Sequence, residues 1–260
     1  MKPLQNLNTT TSDTIVHRRH KKSPRDVYQN DGFNAYVARS ANYLLAKRSF
    51  DIFFSTLIIL VVLSWLLPVL GSLIKLSSQG PVFFKQRRVG RNGKSFMCLK
   101  LRTMIINMEA DETPAQDNDY RITKLGSFLR QAHLDELPQF FNVLTGHMSI
   151  VGPRPHMAAD CIRFSFVIPS YEFRHSVKPG ITGWAQVKGY HGPTSNYESI
   201  INRYYWDAQY VRKAGLWLDV KIVTITISRI VRQTFRLVFL LPVLKTKMQS
   251  SLSNDHRVLH

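Results

Sequence analysis

The sequence is poor in the groups that would place it in several common classes. Its two cysteines, Cys98 and Cys161, cannot build a disulfide framework and form no CxxC pair. Cys98, between Met97 and Leu99, reads as a small buried hydrophobe. Nine histidines are scattered along the chain, and none is assigned a metal. No GxGxxG or Walker A loop is present, which argues against Rossmann or P-loop nucleotide binding. No apolar run follows a charged start, so no secretory leader is expected, and there is no internal repeat. Acids are scarce: 17 Asp and Glu against 35 Lys and Arg leave a formal charge of +18. That surplus calls for an anionic partner, whether nucleic acid, lipid headgroups or a phosphorylated substrate.

Against these absences stands one long apolar run. Ile52 to Ile74 is 23 residues without a charge, enough to cross a hydrocarbon layer of roughly 30 Å. Lys47 and Arg48 precede it, and eight basic residues from Lys75 to Arg102 follow with no acid among them. Both flanks therefore ask for the cytoplasmic side. Ser64, Pro68 and Gly71 are expected to interrupt the helix in its second half. A re-entrant helix, entering and returning to one face, satisfies both signals.

Residues 1–42 are polar with a basic run from His17 to Lys22, and read as a disordered tail touching anionic lipid. After the membrane segment (43–76), Asn92-Gly93 between Pro81–Phe84 and Ser95–Leu99 predicts a β-hairpin. Five acids from Glu109 to Asp119 fit no EF-hand spacing and read as a solvated loop. Ser195-Asn196-Tyr197-Glu198 predicts a capping box opening a helix that ends at Gly215, with tyrosines suited to core or membrane interface. From Leu216 to Leu241 an apolar segment carries Arg229, Arg232 and Arg236 on one helical face, as an interfacial helix would. A strand over Val220 to Ile227 is the alternative. The expected organisation is a cytoplasmic domain over 77–227 and an amphipathic segment and tail over 228–260.

The chemistry concentrates in His133-Leu134-Asp135-Glu136-Leu137-Pro138-Gln139. Two adjacent carboxylates precede a short apolar run that stops before Gly146. The pattern predicts a helix with Asp135 at its N-cap, Pro138 in its first turn and Gly146 just past its end. The helix's positive end would keep Asp135 ionised and could receive a phosphate beside it. An ionised carboxylate beside a phosphate suggests phosphoryl transfer to Asp135. Downstream, Pro153-Arg154-Pro155 holds a guanidinium in a stiff loop, a good clamp for phosphate oxygens. Lys178 opens another rigid segment, Lys178–Val187.

These motifs, in this order, resemble the bacterial sugar transferase family, the membrane-monotopic phosphoglycosyl transferases. The resemblance runs from Lys47-Arg48-Ser49-Phe50-Asp51 through Gln86–Gly90, Lys100–Met104, Arg121–Lys124, Asp135–Gln139, Met148–Pro155 and Lys178–Trp184 to Trp217–Lys221, roughly residues 47 to 226. It implies transfer of a hexose-1-phosphate from a UDP-sugar, UDP-glucose or UDP-galactose, to undecaprenyl phosphate in a bacterial cytoplasmic membrane. UMP is released, and exopolysaccharide or another surface glycan is primed. By the same resemblance Asp135 is the nucleophile, Glu136 helps hold Mg²⁺, and Arg130 and Arg154 contact phosphate. Lys100, Arg102, Arg88, Gln139 and Lys178 are further candidate substrate contacts. The family's usual Ser-Pro pair is absent, since Trp65 follows Ser64 and the proline comes at Pro68, so the bend is expected lower or at a different angle. The chain resembles the short form of the family, without the extra membrane helices of larger relatives.

The expected fold is therefore α+β and predominantly helical: a re-entrant membrane helix, a small cytoplasmic catalytic domain with a β-hairpin, and interfacial amphipathic helices. Membrane lipid, the UDP-sugar and the polyprenyl phosphate are the expected partners; nucleic acid is not, and a homodimer is left open. The alternative from another class is a non-catalytic, membrane-bound scaffolding relative.

Overall fold

The computed structural model describes residues 41–106, 119–192 and 196–235. The basic tail, the acids from Glu109 to Asp117, Ser195, Arg236 and the C-terminal tail lie outside these. The described chain is α+β and mostly helical, as expected.

Helix α1 runs Ala41–Ser77, 37 residues, about 55 Å at 1.5 Å per residue. Lys47, Asp51 and Ser55 are buried at four-residue spacing, one face of the helix. Leu60, Val61, Trp65, Val69 and Leu76 are exposed. The expected interruption at Ser64 and Pro68 does not occur. Helical structure continues through Pro68, and the irregularity lies upstream, as a π-turn at Ile59–Leu63. Side chains along this stretch also donate to backbone carbonyls one turn back, as an apolar setting favours. Ser64 Oγ donates to the Leu60 carbonyl at 2.7 Å, Trp65 Nε1 to Val61 at 3.0 Å and Ser72 Oγ to Pro68 at 2.9 Å.

Strands β1 (Phe83–Val89) and β2 (Ser95–Leu101) form the expected antiparallel hairpin, in register from Phe83 opposite Leu101 to Val89 opposite Ser95. Asn92 and Gly93 turn the chain with positive φ, 55° and 73°. Alternation along β2 buries Phe96 and Cys98, and burial pushes the Cys98 thiol up, as for a packed hydrophobe. Helix α2 (Lys124–Gln131) is capped by Thr123, whose hydroxyl accepts from Gly126 N–H at 2.9 Å. A Cβ on Gly126 would lie 1.9 Å from the Thr103 carbonyl, so only glycine lets α2 lie on that strand exit.

Helix α3 (Gln139–Leu144) leads into β3 (Ser149–Val151), which pairs in parallel with β4 (Gly180–Thr182). The intervening crossover holds α4 (Ala158–Val167) and a 3₁₀ segment, Tyr171–Ser176. After the one-turn α5 (Trp184–Val187) come α6 (Tyr197–Lys213) and α7 (Leu216–Phe235). Asn196 caps α6, its side chain accepting from Ser199 N–H at 2.8 Å, and Ala214 closes the helix, which leaves Gly215 at the C′ place expected of it. Its aromatics divide: Tyr210 is core, whereas Tyr197 and Tyr205 are exposed. Residues 220–227 are helical, not a strand, and α7 continues across position 227 into the segment assigned to the C-terminal piece. Val143, Met148, Val151, Tyr210, Val211 and Ile222 centre the core that unites these elements.

Both halves of α1 are tied to this one body. Near its start, Lys47 Nζ donates to Asp219 at 2.9 Å and to the Val151 carbonyl at 3.1 Å. Tyr210 also serves Asp219, at 2.8 Å. Asp51 accepts from Ser149 Oγ at 3.0 Å and Ile150 N–H at 2.9 Å. Arg48 caps the end of α3, donating to the Val143 and Leu144 carbonyls. At the other end, Leu70 and Ile74 pack on Leu101 and Leu129, and Arg102 donates to the Ile74 and Ser78 carbonyls. Removing one partner of a buried pair strands the other. Lys47→Met is expected to cost about 3 kcal/mol and to lower Tm by roughly 6–12 °C for a domain of this size, read by thermal unfolding in detergent. An unchanged Tm would refute the anchoring role.

Candidate active site

The two adjacent carboxylates do not sit at the start of α3 as the sequence suggested. His133 takes a left-handed conformation, φ 57°, and turns the chain into a 3₁₀ segment, Leu134–Glu136, closed by Leu137 N–H to the Leu134 carbonyl at 3.3 Å. Pro138, with no N–H to leave unpaired, takes the N-cap place of α3 instead of a position in its first turn. Gly146 lies just past the helix with φ +83°, as expected. Asp135 is thereby presented on a tight turn and is 8% exposed.

The surroundings of Asp135 and Glu136 differ sharply. Asp135 accepts no hydrogen bond among the described residues. Burial, and then the charge of Glu136, push its carboxyl above the ordinary range, and Lys100, Arg130 and Arg154 pull back only part of the way. Asp135 is thus not a carboxylate kept ionised by the end of an α-helix: α3 begins only at Gln139, and removal from water dominates. Glu136 is fully engaged. Arg154 grips it with both arms, Nη2 to Oε1 at 2.6 Å and Nη1 to Oε2 at 2.9 Å, and Lys100 Nζ reaches Oε1 at 2.8 Å. Although burial opposes it, the pull of Arg154 and Lys100 holds the Glu136 carboxyl well below its usual range, and Glu136 in turn raises Arg154.

Arg130 stands in the last turn of α2 and acts on Asp135 through its charge. It has no hydrogen bond or ion pair of its own among the described residues. Arg88 is held by Gln86, at 3.1 Å from Nε, and by the Pro155 carbonyl at 3.3 Å. Burial and Arg154 depress its pKa. The structure thus brings Asp135, Glu136, Lys100, Arg130, Arg154 and Arg88 together, four cations for two carboxylates. It does not bring Arg102, which caps the end of α1, or Lys178, which lies beside Gly146 and Arg48. Gln139 is buried in the first turn of α3 and bonds neither carboxylate.

Proline alone does not explain the stiffness of the Arg154 loop. Gly152 N–H donates to the Thr182 carbonyl at 2.9 Å, and Gly180 N–H to Pro153 at 3.0 Å. Arg174 donates to the Arg154 carbonyl at 2.6 Å while paired with Asp207 at 2.8 and 3.0 Å, both side chains fully buried. His156, hydrogen-bonded to Tyr171, is kept neutral by burial and by Arg174, and its carbonyl takes Val89 N–H at 2.9 Å. Arg174, Asp207, His156 and Tyr171 escaped the sequence reading because the crossover unites them and no local spacing marks the set. The one available signal was the pairing of an arginine with an acid inside otherwise apolar stretches.

Among the described residues no three His, Cys, Asp or Glu side chains cluster as metal ligands. The site offers two neighbouring carboxylates, one of them without a hydrogen bond among the described residues. That donor set fits a hard cation such as Mg²⁺, which binds through one or two carboxylates and completes its shell with water and phosphate oxygens.

A carboxyl whose pKa folding raises contributes stability that is complete below its unfolded value, ~3.9 for Asp, and is lost as pH rises through the folded value. Asp135→Asn is therefore expected to exceed the parent in thermal stability at pH 7 and to lose that advantage as the pH falls toward 4. Equal differences at the two pH values would contradict the raised pKa. Glu136→Gln is expected to behave oppositely. Its lowered pKa contributes stability above ~4.3 that fades as pH falls through the folded value. At pH 7 the variant should lose about 2 kcal/mol, below the range for fully buried pairs because Arg154 keeps 27% of its side chain exposed.

Curated relatives carry the same region. The chain is 49% identical over 187 residues to a UDP-glucose:undecaprenyl-phosphate glucose-1-phosphate transferase of Escherichia coli K12, covering 71% of the chain and 40% of the relative. It is 43% identical over 189 residues to a UDP-N-acetylgalactosamine-undecaprenyl-phosphate N-acetylgalactosaminephosphotransferase of Aeromonas hydrophila, covering 72% and 44%. An exopolysaccharide production protein of Rhizobium leguminosarum bv. phaseoli is 43% identical over 185 residues, 69% of the chain and 92% of that protein. The chain thus spans less than half the length of the first two. The family model described as bacterial sugar transferase matches residues 42–233, most of the chain, and the protein belongs to that family.

Proposed function

We propose that this protein transfers a hexose-1-phosphate from a UDP-sugar to undecaprenyl phosphate through a phospho-aspartyl intermediate on Asp135. The observation that carries this is the pairing of a buried carboxylate, without a hydrogen-bond partner among the described residues, with the cations that gather around its neighbour Glu136. Asp135 Oδ attacks the phosphorus that bears the sugar. The bond from that phosphorus to the bridging oxygen breaks, and UMP departs with the electron pair. A phosphate oxygen of the polyprenyl acceptor then attacks the same phosphorus, and the aspartyl–phosphorus bond breaks to free the carboxylate.

Charge decides whether the first step is feasible. Each pair of like unit charges at ~4 Å costs roughly 4 kcal/mol at an effective dielectric near 20. A diphosphate facing two carboxylates meets several such pairs, which Arg130, Arg154, Lys100 and Arg88 offset. Glu136, with Asp135 beside it, would hold Mg²⁺. When bound, the cation adds Lewis-acid neutralisation of the developing phosphate charge. A desolvated carboxylate also has less water to shed before attack.

The membrane reading rests on α1. An apolar helix with exposed Leu60, Val61, Trp65 and Val69 belongs in lipid, yet its two ends are held by one body. A helix that enters and leaves the same face of a bacterial cytoplasmic membrane, the catalytic domain on the cytoplasmic side, satisfies both. The polyprenyl acceptor then arrives from the layer that holds α1. Glucose is the favoured sugar, from the 49% identity to a relative named for UDP-glucose, with galactose next.

Detergent-purified protein with Mg²⁺ and UDP-glucose should release about one UMP per chain without acceptor and turn over when undecaprenyl phosphate is added. UDP-galactose serves as the comparison donor. Asp135→Asn should release none; turnover by that variant would overturn the assignment. Arg154→Ala is expected to lower kcat by about 10²–10³, the range for losing one charge-stabilising donor.

A further inference from the structure

Both oxygens of Glu136 are occupied by side chains of the protein itself. Arg154 takes one oxygen of Glu136 with each arm, and Lys100 shares Oε1. Asp135, next to it, accepts no hydrogen bond among the described residues. A divalent cation arriving alone at Glu136 therefore meets an ammonium and a guanidinium already in contact with its ligand. No third acid, histidine or cysteine is clustered there, among the described residues, to receive those displaced cations or to complete a metal shell. A diphosphate changes both terms, because its oxygens can accept from Lys100 and complete the coordination of a hard cation.

The two cations are not equally free to move. The Arg154 backbone is fastened through its own carbonyl to Arg174, and the flanking Pro153 carbonyl receives Gly180 N–H. Lys100 stands on β2 opposite Phe84, with only its backbone in the ladder, and carries a compact charge on a flexible four-carbon stem. Lys100 is the group able to swing from carboxylate to phosphate.

We propose that Lys100 is an internal stand-in for the divalent cation. It holds Glu136 while the site is empty, and releases it only when a nucleotide diphosphate offers oxygens in exchange. The site then accepts metal and diphosphate as a pair, and binds free metal weakly. This rests on the reading of Glu136 as the metal-holding residue. Because coupling between two ligands is reciprocal, metal must strengthen diphosphate binding by the factor that diphosphate strengthens metal binding.

The test measures Mn²⁺ bound to the full-length, detergent-purified protein by electron paramagnetic resonance, with and without UDP, referenced to Mn²⁺–UDP without protein. In the parent, UDP is expected to tighten Mn²⁺ binding by about tenfold or more, and Mn²⁺ should tighten UDP binding by the same factor. Lys100→Met should bind free Mn²⁺ about tenfold more tightly than the parent and show a smaller gain from UDP, whereas Lys100→Arg should keep the parent's pattern. Free Mn²⁺ binding that is equally tight in parent and Lys100→Met would overturn the proposal. So would a parent whose Mn²⁺ affinity ignores UDP, a result that needs no variant to fold. Glu136→Gln separates the two levels: tight Mn²⁺ binding that survives this change would show that Glu136 is not the metal holder, a failure of the underlying reading.

Discussion

The two-armed grip of Arg154 on Glu136 is the contact on which the rest of the site depends. A carboxylate this far from water is costly unless its charge is matched in place. The match is made by a guanidinium whose backbone is fastened on several sides. Beneath it the Arg174–Asp207 pair, itself wholly buried, ties the crossover and α6 to the carbonyl of the same arginine. The parallel contact of β3 with β4 ties the loop from the other flank. The expense of burying so many ions falls on one loop, and its return is a guanidinium that cannot drift.

The same economy governs the long helix. The charged residues of its first half are used on the protein side: Lys47 and Asp51 on the strand that leads to Arg154, and Arg48 on the end of the helix that follows the carboxylates. The lipid-ready side carries large apolar groups. Serine and indole donors serve the carbonyls of Leu60, Val61 and Pro68. Backbone polarity is thus resolved within the helix, as an apolar solvent demands.

Much of this was legible in the residues. The hairpin followed from Asn-Gly between two strand-like runs, and α7 from its apolar length. The nearness of the carboxylates to Arg130 and Arg154 followed from motif order and family resemblance. What failed did so for tertiary reasons. Asp135 was placed on a helix end because Pro138 and Gly146 frame a helix, but His133, in the left-handed region that few non-glycine residues enter, starts a separate turn. Arg102 and Lys178 have the right charge and the right motif company, yet the fold spends them on a helix terminus and on the neighbourhood of Arg48. Pro68 announced a break, yet helical structure continues through it. The Arg174–Asp207 pair spans 33 positions and leaves no periodic trace.

One short run of β2 has a geometric consequence. Lys100, Leu101 and Arg102 are consecutive, and they point respectively to the carboxylates, to the packed interior and to the exit of α1. Two residues of extended chain measure about 7 Å. That short span joins the residue that caps the end of α1 to the residue that holds Glu136. With α1 seated in lipid as proposed, the chain itself keeps the reacting centre close to the point where the helix ends. An acceptor phosphate can then meet Asp135 while its hydrocarbon tail stays dissolved in the bilayer.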